Sequence, residues 1–223
     1  MDYIRVILTI FWKDILAERR TREILSAMLV FALVVILLFV FAFDLSPETR
    51  RNTAAGVIWV TLCFSGTIGL NRTLSVEKDR GGIDGLMLAP ADRTALFFGK
   101  ALTNWVYMLL TALFVVPIYS LFNNTNLFSF TLLGVIMLGT FGYIVTGTLL
   151  SSLSLQLRSR EMLLPVLLFP VVIPLLLSAI RATSILLEGG SQTELNTWLV
   201  LLFSYDLIFL AISVMVFDKI IED

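Results

Sequence analysis

The sequence predicts an all-α integral membrane protein: an N-terminal interfacial amphipathic helix followed by six transmembrane helices. Three observations lead there. The chain of 223 residues is 58% hydrophobic and only 15% charged, whereas soluble domains are about 45–50% apolar and about 25% charged. A soluble fold of this size cannot hide that surplus, so lipid must solvate part of the surface. Six apolar runs approach the length of about 20 residues needed to cross about 30 Å of hydrocarbon. Finally, thirteen of the sixteen Lys and Arg residues fall in alternate connecting segments, the asymmetry expected of a multi-span chain.

Residues 2–23 come first. Ile4, Ile7, Leu8, Phe11, Trp12, Ile15 and Leu16 follow the spacing of a helix with one oily face, and Arg5, Thr9, Lys13 and Glu18 fall elsewhere. This reads as a helix lying flat in the membrane interface, a depth that suits Trp12; the other reading is a soluble helix docked on a partner. The segment lacks the short apolar core and small-residue cleavage site of a removable signal peptide.

The spans follow at about 24–43, 54–71, 101–122, 132–155, 162–180 and 196–217. The second is uncharged and slightly short. The fourth holds Gly134, Gly139, Gly142 and Gly147, then Ser151, Ser152 and Ser154, which points to close helix packing within the chain or against a second subunit. The fifth carries Pro165, Pro170 and Pro174. Each proline removes a backbone donor, so a kinked or locally unwound segment is expected, serving as a hinge or as a static bend. The sixth carries Asp206, about 15 Å deep at about 1.5 Å per residue. An acid there costs about 2.5–3.5 kcal/mol on insertion scales. It either responds to conformation or lines a path, or it forms a fixed hydrogen bond, with Asn104 or Arg181 as candidates. No internal repeat or linker appears, so residues 1–223 read as one domain.

Orientation follows from the basic residues. The segments 1–23, 72–100, 156–161 and the tail hold all of them except Arg50, Arg51 and Arg181. The positive-inside rule then places both termini in the cytoplasm, in agreement with an even number of spans.

The longest cytoplasmic connection, 75–90, reads Ser-Val-Glu-Lys-Asp-Arg-Gly-Gly-Ile-Asp-Gly-Leu-Met-Leu-Ala-Pro. A charge cluster (Glu77, Lys78, Asp79, Arg80) leads to a turn at Gly81-Gly82. Ile83, Leu86, Met87 and Leu88 then form a short oily patch that ends at Pro90. Such an element either docks into a groove on another protein or rests on the membrane.

Other chemistry is excluded. There is no histidine, hence no Ser–His–Asp arrangement and no common haem ligand. No Gly-rich Lys-Ser/Thr phosphate loop is present, and no zinc-type cluster. The single cysteine, Cys63, cannot form an internal disulfide. The formal net charge of −1 gives no indication of a nucleic-acid partner. An ion-coupled carrier would show more intramembrane polar residues and a repeat.

The 75–90 segment resembles the signature after the second span of ABC-2-type permeases. Over the whole chain the resemblance sharpens to the haem exporter protein B (CcmB) family of the cytochrome c maturation system. Phe11-Trp12-Lys13-Asp14 with Glu18, Arg19 and Arg20 carry it, as do Glu77-Lys78-Asp79-Arg80, the Leu-Met-Leu-Ala-Pro stretch, Arg158 through Pro165, Pro170, Pro174 and Tyr205-Asp206. The resemblance implies a non-catalytic permease subunit. Its ATPase-coupling surface would comprise Glu77, Lys78, Asp79, Arg80, Gly81, Gly82, Asp84, Leu86 and Pro90, and its interfacial helix would carry Trp12, Lys13 and Asp14. The implied partners are a CcmA-like ATPase that binds ATP, a tryptophan-rich CcmC-like haem-handling subunit, a small single-span CcmD-like subunit, a CcmE-like haem chaperone and the lipid bilayer. Haem would be a transported substrate or the chaperone's cargo, with no cofactor or metal held stably by this chain. Two other roles fit the same layout: export of a different amphiphile, such as a lipid or glycan, and a scaffold that transmits ATPase strokes without transport.

Overall fold

The structure, a computed structural model, describes residues 3–42, 47–79, 92–123, 129–154 and 160–220. Among them run seven helices: α1 (Tyr3–Thr21), α2 (Glu23–Ala42), α3 (Pro47–Asp79), α4 (Arg93–Asn123), α5 (Phe130–Ser154), α6 (Arg160–Glu188) and α7 (Gln192–Ile220). The last six are each long and apolar enough to cross a membrane.

α3 and α5 form the centre. They hold the glycines and threonines that allow close packing, and most of their apolar windows are buried, whereas α2 and α7 turn mainly outward. Three glycines of α5 seat large side chains from neighbours: Gly139 lies against the Trp59 ring, Gly142 against Asp206 and Leu175, and Gly147 against Leu70. The small-residue stretch therefore serves packing within this chain. Several buried hydroxyls bond back to their own helices. Thr61 donates to Val57 O, Thr103 to Gly99 O and Thr111 to Tyr107 O, at 2.7–2.9 Å, because hydrocarbon offers no other acceptor.

The helix bounds differ from the expected spans for identifiable reasons. α4 begins at Arg93 rather than 101, because Asp92 is an N-cap: its Oδ1 accepts from Thr94 N at 3.0 Å and from Thr94 Oγ1 at 2.7 Å. α3 is 33 residues long, about 50 Å at about 1.5 Å per residue, and overruns the span at both ends. α6 continues to Glu188, where Gly189 at φ 74° closes it and Gly190 N bonds to Ile185 O at 2.9 Å. Arg51, on the neighbouring end of α3, donates to Leu187 O of the same terminus.

Of the kink or local unwinding expected in the fifth span, the unwinding does not occur. α6 is one helix through Pro165, Pro170 and Pro174. Its packing stripe of Leu164, Leu168, Val172, Leu175, Ala179 and Ala182 is fully buried. The prolines sit off that stripe, with Pro170 and Pro174 exposed, so the bundle clamps the helix along a face they do not interrupt.

α1 packs on its own chain. Tyr3 meets Thr94, Ile10 meets Gly99, and Asp14 meets both Lys100 and Tyr107, so α1 and the start of α4 run side by side in the same sense. Ile10 is buried on that side, whereas Ile4, Leu8, Trp12 and Leu16 remain exposed along the outer side. The oily face read as one stripe is thus divided between α4 and the outside.

Candidate functional site

Two regions contain the residues singled out from the sequence. The first is the end of the bundle where α1 lies. Asp14 is bracketed by two ammonium groups: Lys100 Nζ lies 2.6 Å from Oδ2, and Lys13 Nζ lies 3.3 Å from Oδ1. The Asp14 and Lys100 side chains are each only 13% exposed, which shields that pair from the solvent screening that makes surface pairs weak. Tyr107 Oη donates to Asp14 O at 3.2 Å, and Tyr3 Oη to Thr94 Oγ1 at 3.1 Å. Trp12 points outward.

Glu18 is the residue of this region that the sequence misplaced. It looks like part of a polar face, yet it is buried. Its carboxylate accepts from Leu25 N at 2.8 Å and Ile24 N at 3.3 Å, capping the first turn of α2, whose N–H groups have no partner within the helix. The chain can fold back this way because Arg22, at φ 55°, makes a left-handed corner between the helices. A Glu preceding a second helix start by five residues was the available signal.

Glu77, Lys78 and Asp79 lie on the last turns of α3. The start of the 75–90 segment is therefore a helical continuation of the second span. Arg80, Gly81, Gly82, Asp84, Leu86 and Pro90 lie outside the described residues.

The second region is a polar seam inside the bundle. Trp59 Nε1 donates to Thr183 Oγ1 at 2.9 Å, joining α3 to α6. Tyr143 Oη donates to Cys63 O at 2.7 Å and lies 2.6 Å from Thr67 Oγ1, joining α5 to α3. Tyr205 Oη donates to Val171 O at 3.2 Å and lies 3.2 Å from Thr146 Oγ1, linking α7 to both α6 and α5. Asp206, next in sequence, is 4% exposed and pressed against Gly142 of α5, yet neither carboxylate oxygen has a hydrogen-bond partner among the described residues. The expected bonds to Asn104 or Arg181 do not form. Asn104 Oδ1 instead accepts from Thr73 Oγ1 at 2.8 Å, and Arg181 is exposed.

An apolar cavity of about 530 Å³ opens between α4 and α5, lined by residues such as Leu109, Leu113, Pro117, Leu133 and Met137, with Ser129 at its edge. Among the described residues no group of three His, Cys, Asp or Glu side chains could hold a metal ion.

Six membrane-length helices around a hydroxyl-lined seam, with a helix bolted to one end, define a polytopic membrane subunit. The chain matches the profile of the CcmB protein family over residues 5–222. It is 27% identical to Heme exporter protein B of Rhodobacter capsulatus over 150 residues, covering 67% of this chain and 69% of that protein. To the protein of the same name from Paracoccus denitrificans it is 26% identical over 186 residues, covering 83% and 84%. To that from Escherichia coli K12 it is 30% identical over 101 residues, covering 43% and 46%. The chain belongs to the CcmB family: it is a multi-pass, non-catalytic permease subunit of a cytochrome c maturation ABC transporter, which includes an ATPase.

Proposed function

We propose that this chain transmits force within its complex. A CcmA-like ATPase engages residues 75–90 as it closes on ATP, and the resulting movement of the bundle releases a haem-loaded, CcmE-like chaperone on the opposite side of the membrane. CcmC-like and CcmD-like subunits stand alongside. The observation that carries this reading is the length of α3. One unbroken helix carries Glu77, Lys78 and Asp79, and the same helix holds Trp59 and Cys63 in the central seam. A push on its end therefore enters the bundle core directly. The basic residues of α1 and of the 72–100 segment support a cytoplasmic location for that end and for both termini in the bacterial inner membrane. Haem is cargo in this reading rather than a resident group, since the sequence contains no histidine to ligate it.

The cavity between α4 and α5 favours a second reading, passage of haem or another amphiphile along the lipid-facing wall. The complex in liposomes separates the two. ATP-driven chaperone release without substrate movement supports force transmission alone, and ATP-driven substrate movement supports passage. Glu77→Lys should uncouple ATP turnover from output while insertion stays normal; retention of both would refute the coupling role. Mild detergent extraction followed by mass spectrometry should recover an ATPase with haem-handling subunits. Recovery with lipid or glycan enzymes would point to another exported amphiphile.

A further inference from the structure

The contacts of α1 extend the coupling reading to residues that it does not require. We propose that the Asp14–Lys100 ion pair locks α1 to the first turns of α4, so that the two helices answer the 75–90 segment as one rigid body and pass its movement to α2 through Glu18. This inference rests on the reading that an ATPase engages that segment.

Four contacts define the lock, and they lie in register along both helices. Tyr3 bonds to Thr94 at 3.1 Å. Ile10 lies so close to Gly99 that a Cβ built there would come within 2.9 Å of the Ile10 Cβ, which brings the helices nearly to backbone contact. Lys100 Nζ meets the Asp14 carboxylate at 2.6 Å, and Tyr107 Oη donates to Asp14 O at 3.2 Å. Only the ion pair is a charge-assisted bond, and it is largely shielded from solvent. It is also the contact most sensitive to a single neutralising substitution.

The location gives the lock its meaning. Arg93, the first residue of α4, lies just beyond the 75–90 segment, and the last turns of α3 lead into it. A stroke on the segment thus reaches α3 at one end and α4 at the other. α4 carries α1 with it. Near the end of α1, the Glu18 carboxylate holds the N–H groups of Ile24 and Leu25, so the first turn of α2 must follow. The interfacial helix is then a strut that joins the stroke to the first span, rather than a passive float. Asp14, Lys100 and Glu18 are positioning residues.

Paired spin labels read this directly. In a Cys63→Ala background, Leu8→Cys on α1 and Leu110→Cys on α4 report the lock, because both sites are exposed and away from the ion pair. Leu8→Cys with Leu177→Cys on α6 reports movement of the strut against the bundle. In nanodiscs holding the subunit alone, the α1–α4 distance distribution should be narrow, and Asp14→Asn should broaden it. An unchanged distribution would overturn the lock whatever the partner does. In the full complex, trapping ATP should shift the α1–α6 distance and leave α1–α4 unchanged. In Asp14→Asn the α1–α6 shift should be lost while the basal ATPase rate persists. The swapped pair Asp14→Lys with Lys100→Asp should restore it, which a merely destabilised fold would not do. An ATP-dependent change in the α1–α4 distance of the unsubstituted protein, or an α1–α6 shift that survives Asp14→Asn, would refute the strut. Failure of the complex to recruit an ATPase would instead remove the underlying coupling reading, and the result on the subunit alone would still decide the lock.

Discussion

Asp206→Ala should make the protein more stable. Asp206 lies near the middle of α7, 4% exposed, with no hydrogen-bond partner for either carboxylate oxygen among the described residues. An acid at the centre of a membrane helix costs about 2.5–3.5 kcal/mol, and here no bond offsets that cost. Truncation to alanine removes it. Against this stands a small void, worth about 1 kcal/mol of lost packing. The net expectation is a gain of about 2 kcal/mol, or about 4–8 °C in melting temperature for a chain of this size. Thermal melts of the purified protein in one detergent, followed by near-ultraviolet circular dichroism, provide the assay. A melting temperature lowered by several degrees would refute the reasoning, because removing a real partner to a buried acid would cost about 1–3 kcal/mol. If output also falls in the stabilised variant, Asp206 is retained for function at the expense of stability. Unchanged output and assembly in Asp206→Asn would exclude that role.

Four further outcomes follow from the contacts and the backbone. Glu18→Ala should destabilise by about 1–3 kcal/mol, because two N–H groups at the start of α2 lose a charged acceptor; Glu18→Gln should recover part of the loss in the same melts. Gly139→Ala should also lower the melting temperature. The helix-propensity gain of about 1 kcal/mol is outweighed by about 1–3 kcal/mol of overpacking against a Trp59 ring that is fully buried and tethered to Thr183. Trp59→Phe alone should cost about 0.6–1.7 kcal/mol for the lost interhelical bond, and combined with Gly139→Ala it should cost less than the sum, because the smaller ring makes room. Arg22→Gly should stabilise by about 1 kcal/mol, since glycine adopts the left-handed corner at φ 55° without strain, and equal or lower stability would show that the arginine side chain holds the corner.

The sequence by itself determined the class of fold. Apolar runs of bilayer length leave the backbone no choice but helices, because every N–H and C=O must be satisfied within its own segment. That constraint is local, and so the six spans and the amphipathic first helix were legible from the order of residues. Helix ends were less so. The Asp92 cap lengthens α4 by two turns, and its signal, an Asp before Arg-Thr, lies outside the apolar run that hydropathy marks. What the tertiary structure alone decided is which side chains meet. Asp14 and Lys100 are far apart in sequence, and their pairing depends on α1 folding back along α4. Glu18 became a cap because of a left-handed corner that an arginine does not announce. Asp206 meets Gly142 of α5 rather than Asn104 or Arg181, and Gly139, Gly142 and Gly147 face inward because α3, α6 and α7 pack there. Periodicity along one helix gives the face of each residue, but the partner across the gap depends on the relative rotation and depth of two helices, which no single segment encodes.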